Sequence, residues 1–131
     1  MIALACDHGA LDLKHAIMKH LEQRGLAYKD FGCYTKDSCD YPDFAGPAAQ
    51  AVASGECDRG IVCCTTGIGV SITANKVKGV RCALLDNPMS ARPVSYTHLQ
   101  KFRKGCILPK IFCPQKAALL QRGLDKSSLM R

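Results

Sequence analysis

Short apolar runs alternate with segments of helical periodicity through the first two thirds of the chain. Short apolar runs bounded by glycine or polar residues predict buried strands, and apolar residues recurring every three to four positions predict amphipathic helices. Strands are predicted at 2–6, 26–32, 61–64 and 80–85, and helices at 10–24, from Pro42 to 56, and after Gly69 with Val70, Ala74 and Val77 on one face.

This order of elements predicts an α/β fold with a parallel sheet and helices packed on both faces, because parallel neighbours need crossover connections. In such sheets the ligand lies beyond the carboxyl ends of the strands. Three loops occupy that edge, at 7–9, 33–43 and 65–69. We therefore expect these loops to converge on one crevice.

The segment "IVCCTTGIGVSITANK" (61–76) carries a thiol and a glycine turn between a strand and a helix. Cys64 ends the strand and can face the crevice, whereas Cys63 should face the opposite side of the sheet. A thiol beside a helix N-terminus can serve as a base or nucleophile. The alternative interpretation is that Cys64 is a small buried hydrophobe. Gly67 and Gly69 could let backbone amides approach an anion, or could serve the turn alone. No nucleotide-binding glycine motif is present.

Three further polar or aromatic residues lie in the other two loops. Asp7 and His8 follow the first strand, where Asp7 could bind a ligand or cap the first helix. Tyr41 precedes Pro42 in the second loop, where it could line a pocket or pack as a loop aromatic.

Composition excludes several classes of protein. We find no long apolar segment, and because Asp7 interrupts the first apolar run we expect no export signal. We expect the nine cysteines to be reduced thiols of a cytoplasmic protein. No C-x-x-C pair occurs, so we expect no structural zinc site. The net charge of +7 lies entirely in residues 93–131, since residues 1–92 hold ten basic and ten acidic residues. We therefore expect no specific nucleic-acid partner and no membrane partner.

Residues 1–92 resemble the sugar-phosphate isomerase family of ribose-5-phosphate isomerase B and the galactose-6-phosphate isomerase subunits. The resemblance rests on "ACDHGALDLKHAI", "DYPDFA" and "CCTTGIGVSITANKVKGVR", which occur in order and with the family's spacing. It implies a Rossmann-like α/β fold, a homodimer or homotetramer, no metal or other cofactor, and a phosphorylated sugar as substrate. Ribose 5-phosphate is the first candidate substrate, and galactose or allose 6-phosphate is the alternative.

The resemblance also implies roles for individual residues. Cys64 would be the base that moves a proton between C1 and C2 of the open-chain sugar, with Thr66 as the second catalytic residue. Substrate-binding residues would be Asp7, His8, Tyr41, Thr65, Gly67, Ile68 and Gly69, and backbone amides of residues 65–69 would stabilise the enediolate oxygens. The family usually has glycine at the position of Thr65, so this loop is expected to be tighter or shifted.

The chain departs from the family after Arg92. His98 is one position out of register with the family's ring-opening histidine and lacks the adjacent asparagine, so that role is not carried over. The heptapeptide "PVSYTHL" (93–99) is also one translation of the transposon mosaic end used to prepare sequencing libraries. We therefore divide the chain into an isomerase part (1–92) and a basic, non-family tail (93–131) of adapter-derived or chimaeric origin, the alternative being a natural divergent C-terminus.

The tail offers little predicted structure. It contains one modest helical pattern, at Ala117, Leu120 and Leu124, and one strand-like run, "CILPKIFC" (106–113), which Pro109 interrupts. We therefore expect four strands of the family sheet, with the fifth replaced by the tail. Such a truncated sheet would expose an unpaired edge, and it would lack the arginines with which the family grips the phosphate.

Overall fold

The fold is built around a five-stranded sheet. The computed structural model describes residues 1–86 and 116–122, apart from the side chains of Lys116 and Gln121. In chain order the elements are β1 (Ile2–Cys6), a short 3-10 helix (His8–Ala10), α1 (Leu11–Gln23), β2 (Tyr28–Asp30), α2 (Pro42–Ser54), β3 (Arg59–Cys64), α3 (Ile68–Lys76), β4 (Val80–Leu85) and β5 (Lys116–Arg122). None of the helices in these two ranges is long and apolar enough to cross a membrane.

The strand order is β2-β1-β3-β5-β4. Strand β1 pairs in parallel with β2 and with β3, so the first three strands form the α/β arrangement predicted from the sequence. Strand β5 lies between β3 and β4 and is antiparallel to both. Because β5 is antiparallel to both neighbours, β3 and β4 run in the same direction, and the four strands predicted from the sequence are parallel to one another, as predicted. The sheet as a whole is mixed because the tail adds the antiparallel strand β5.

The strand β5 comes from the segment in which the sequence predicted a helix. Ala117 and Leu119 face one side of the sheet, and Ala118 and Leu120 face the other, and all four are buried. Alanine and leucine favour helices in isolation, but burial on both faces between β3 and β4 outweighs that preference. The predicted run "CILPKIFC" lies outside the described residues.

Helices cover both faces of the sheet, as predicted. On one face α1 buries Leu13, Ile17 and Leu21. On the other face α2 and α3 pack through small side chains, including Ala48 and Ala74. The alternation along β3 places Cys63 in the first of these clusters and Cys64 in the second, which confirms that the two thiols face opposite sides.

Two glycines set the ends of helices that position the site. Helix α1 ends where Gly25 adopts the left-handed conformation (φ 64°), and the Gly25 and Leu26 amides donate to carbonyls of the last turn. Helix α3 is preceded by Gly67 at φ 74°, a conformation that a residue with a side chain adopts at a cost. Gly67 thereby directs the chain from β3 into α3 immediately after Cys64.

Candidate active site

The three loops beyond β1, β2 and β3 contact one another in pairs. A Cβ atom added to Gly9 would overlap Thr65 Oγ1, and one added to Gly69 would lie 2.7 Å from Tyr41 Cζ. The Cys39 amide donates to His8 Nδ1 at 3.3 Å. Each loop therefore contacts the other two, which confirms that the three loops converge.

Cys64 lies at the junction of β3 and α3 and is 5% exposed. Its Sγ accepts the Gly67 amide hydrogen at 2.9 Å and lies 3.9 Å from Thr66 Oγ1. The sulfur is therefore held at the N-terminal end of a helix, beside a hydroxyl. This end of a helix carries partial positive charge, which favours a negative charge developing nearby.

Two backbone amides of the loop at residues 65–69 already donate hydrogen bonds to neighbouring side chains. The Gly67 amide donates to Cys64 Sγ, and the Ile68 amide donates to Thr66 Oγ1 at 3.3 Å. Thr65 directs its hydroxyl onto the Cα of Gly9, so its side chain joins the first loop to the third. An anion can accept the Gly67 or Ile68 amide hydrogen only if the present acceptor, Cys64 Sγ or Thr66 Oγ1, is displaced.

Asp7 caps the 3-10 helix that leads into α1. Its carboxylate accepts the Ala10 amide hydrogen at 3.0 Å, and its own amide donates to the Cys63 carbonyl at 3.1 Å. The sequence left open whether Asp7 caps a helix or binds a ligand, and the structure shows the cap. The cap fixes the carboxylate at the edge of the sheet near Gly9.

His8 is half-buried and is fixed by the second loop. Its Nδ1 accepts the Cys39 amide hydrogen and lies 3.7 Å from Cys39 Sγ. An accepting Nδ1 means that the neutral imidazole carries its proton on Nε2. Burial raises the pKa of the Cys39 thiol, so this neighbour of His8 stays uncharged at neutral pH.

Tyr41 is 39% exposed and lies directly before α2. Its ring rests on the Cα of Gly69. The ring therefore reaches the first turn of α3, at a position five residues beyond Cys64.

Sequence reasoning missed Cys39 and a buried ion pair between Lys14 and Asp30. Lys14 is 0% exposed, and its ammonium lies 2.8 and 2.9 Å from the two carboxylate oxygens of Asp30. The position of Lys14 was a usable signal, because it lies three residues before Ile17 and seven before Leu21, on the buried face of α1. No such signal marks Cys39. His98 lies outside the described residues.

Comparison with known proteins identifies relatives of this chain. Residues 2–98 match the profile of the family described as Ribose/Galactose Isomerase. The chain is 46% identical over 91 residues to ribose-5-phosphate isomerase B of Escherichia coli, covering 70% of this chain and 61% of that protein. It is 44% identical over 92 residues to galactose-6-phosphate isomerase subunit LacB of Clostridium acetobutylicum, covering 70% and 53%.

A solved structure shares the fold. Ribose-5-phosphate isomerase B of Clostridium thermocellum superposes with a TM-score of 0.70 at 50% sequence identity, covering 72% of this chain and 64% of that one. The chain thus spans less than two thirds of the length of each of these relatives.

Proposed function

Because this chain belongs to the ribose/galactose isomerase family, we propose that it is an aldose–ketose isomerase of phosphosugars that interconverts ribose 5-phosphate and ribulose 5-phosphate. The observation that carries this proposal is the placement of Cys64 Sγ at the start of α3, 2.9 Å from the Gly67 amide and 3.9 Å from Thr66 Oγ1. We propose ribose 5-phosphate rather than galactose 6-phosphate as the substrate, because the more similar of the two curated relatives compared above is a ribose-5-phosphate isomerase.

In the proposed reaction Cys64 acts as the base. Its thiolate removes the proton from C2 of the open-chain aldose, and the electron pair moves through C1 to O1, which gives an enediolate. The proton on sulfur then returns to C1, while the O2–H proton passes to O1 and C2 becomes the ketone carbon. Atoms and charge balance without an added cofactor.

The surrounding groups supply binding and charge stabilisation. Thr66 Oγ1 lies 3.9 Å from Cys64 Sγ, so the hydroxyl could bond an enediolate oxygen while the sulfur acts on the adjacent carbon. Amides of residues 65–69 at the helix start would stabilise the developing oxyanion. Asp7, His8 and Tyr41 would bind the sugar from the other two loops.

A second candidate is a phosphosugar-binding fragment without turnover. It is favoured by the length of the match, since the aligned part covers only 61% of the Escherichia coli relative. Loss of a phosphate-binding group would remove binding energy that orients the sugar over Cys64. The proposed homodimer or homotetramer belongs to the whole parent protein and follows from the resemblance.

The test is a panel of sugars assayed with the purified full chain. We expect conversion of ribose 5-phosphate, slower than the rate of about 10 per second typical of enzymes, and none of unphosphorylated ribose. Turnover of galactose 6-phosphate alone would reject the ribose assignment. Saturable binding of ribose 5-phosphate without turnover would support the second candidate, a binding fragment. Absence of both binding and turnover would reject a phosphosugar ligand.

A further inference from the structure

Lys14 is a fully buried cation whose hydrogen-bonding capacity is met. Its ammonium donates to both carboxylate oxygens of Asp30, at 2.8 and 2.9 Å, and to the Cys33 carbonyl. The ring of Tyr34 covers it, with the ring centre 4.8 Å from Nζ. An ammonium has three N–H donors, and these three acceptors use all of them.

Stability alone gives a weak reason for such a pair. Removing an ammonium and a carboxylate from water carries a penalty that their attraction often fails to exceed, and apolar residues of similar volume commonly serve a core as well. Asp30 is 19% exposed at its side chain while Lys14 is 1% exposed, so most of the penalty falls on the lysine. A buried pair of this kind is best understood through what it holds in place.

The pair joins two of the loops of the candidate site. Lys14 lies near the start of α1, directly after the segment that carries Asp7 and His8. Asp30 is the last residue of β2, and Cys33 lies in the β2–α2 loop (residues 31–41), which carries Cys39 and Tyr41. Lys14 therefore fixes the base of one loop relative to the other.

The carboxylate of Asp30 also shapes that loop directly. Its Oδ1 accepts the Gly32 amide hydrogen at 2.9 Å, and the Cys33 amide donates to the Cys6 carbonyl at 2.9 Å. Tyr34 folds back so that its hydroxyl donates to the Asp30 carbonyl at 3.2 Å. Beyond Tyr34 the loop reaches the Cys39–His8 hydrogen bond, the contact that fixes the His8 ring.

We propose that Lys14 is a positioning residue of the sugar site: through Asp30 and Cys33 it sets the path of the β2–α2 loop and thereby the orientation of His8 and Tyr41. The role assigned to these two side chains rests on the proposed function. The positioning itself is a property of the protein without substrate, so it can be tested separately.

The test compares Lys14→Met with the double variant Lys14→Met/Asp30→Asn, using the full chain. Lys29→Met is the matched control, because Lys29 pairs with Glu56 on the surface and is 48% exposed at its side chain. The readouts without substrate are the ¹⁵N spectrum of the His8 imidazole, which reports its tautomer, and amide hydrogen exchange across residues 31–41. Thermal unfolding is recorded for each protein.

We expect Lys14→Met to lose the spectral signature of an accepting His8 Nδ1 and to speed exchange at the Cys39 amide about tenfold beyond the control. If Lys14→Met fails to fold, the double variant carries the test, since it leaves no unpaired buried charge. Where turnover of ribose 5-phosphate is measurable, KM should rise about tenfold with kcat within about threefold, because the loop binds substrate and transition state alike.

A folded double variant with the parental His8 tautomer and Cys39 exchange would overturn the proposal, whatever its melting temperature. Exchange that rises equally at all amides would also overturn it, because that pattern reports loss of stability alone. Absence of turnover in every protein, the parent included, would count against the proposed function and leave the substrate-free readouts to decide the role of Lys14.

Discussion

Gly9 and Gly69 lack side chains at two of the places where the loops of the site meet. At Gly69 the Tyr41 ring occupies the space that a Cβ would need, and at Gly9 the Thr65 hydroxyl does. The family usually has glycine at the position of Thr65. In this chain the Thr65 hydroxyl fills the space beside Gly9, where a Cβ would otherwise lie. A side chain added at either glycine would therefore push the neighbouring loop away.

Gly69→Ala should displace Tyr41. The new Cβ would lie 2.7 Å from Tyr41 Cζ, so we expect a loss of about 1–3 kcal/mol in the free energy of unfolding. Gly46→Ala is the matched control, because it lies inside α2 with nothing within 4 Å of its Cβ and should gain about 0.5–1 kcal/mol. Chemical denaturation measures both, and equal stabilisation by the two substitutions would show that Tyr41 does not pack on Gly69.

The thiols of Cys6, which is buried, and Cys82, which is half-buried, should make the protein sensitive to alkaline pH. Burial raises the pKa of each from 9.0 to about 12. Below pH 9 both folded and unfolded chains keep these protons, so the contribution is constant. Between pH 9 and 12 only the unfolded chain releases them, and the free energy of unfolding should fall by about 1.4 kcal/mol per pH unit for each thiol.

Denaturation of the reduced protein at a series of pH values from 8 to about 11 measures this slope. The Cys6→Ala/Cys82→Ala variant should show a flatter profile over the same range, even if it is less stable at every pH. A slope that the double substitution leaves unchanged would mean that other groups, such as Tyr28, whose pKa its hydrogen bond to Glu22 raises, control the alkaline transition.

At the scale of elements, the sequence predicted α1, α2, α3 and the strands β1 to β4, because each carries its own periodicity and end signals. The strand β5 could not be predicted in that way. Its sequence, KAALLQR, has no β-branched residue, and its strand state depends on the space between β3 and β4. The same reason hid the Cys39–His8 contact, which exists only once three loops have been brought together.

The outer edge of β4 is capped by a side chain. The Asn75 amide accepts the Cys82 N–H at 2.9 Å and donates to the Cys82 carbonyl at 2.9 Å, as a neighbouring strand would. Asn75 lies on α3, so this contact also joins α3 to the edge of the sheet. A polar cap of this kind blocks pairing of the edge with another chain.

Asn75→Ala should therefore weaken the protein by about 1 kcal/mol and promote self-association. Ser71→Ala is the control, since the Ser71 hydroxyl donates to the Ile68 carbonyl within α3. Denaturation gives the first quantity, and light scattering as a function of concentration gives the second. Scattering that does not differ between the two variants would show that Asn75 has no protective role at this edge.

At the scale of the whole molecule, the described part of the tail is built into the sheet. Leu119 and Leu120 belong to the two opposite core clusters and are 2% and 0% exposed. Residues 93–131 also carry the entire net charge of +7. The change of composition after residue 92 is visible in the sequence, but nothing in the sequence indicated that the tail contributes to the core.

A chain ending at residue 92 should consequently lose cooperative unfolding. Without β5 the strands β3 and β4 lack the partner they share, and apolar surface on both faces is exposed. Calorimetry and near-ultraviolet circular dichroism of the two lengths test this expectation. A shortened chain that melts as sharply and at the same temperature as the full one would show that β5 adds nothing to the core.

The central claim is that Cys64 transfers the proton, and exchange with solvent deuterium tests it most directly. Ribose 5-phosphate is incubated in D₂O with the full chain, Cys64→Ala and Cys63→Ala, and deuterium at C2 of the recovered aldose is followed by NMR. Cys63 is the matched control, because it is an adjacent buried thiol on the opposite face of the sheet. We expect exchange with the parent and with folded Cys63→Ala, and its loss in Cys64→Ala. Undiminished exchange in Cys64→Ala would contradict the account.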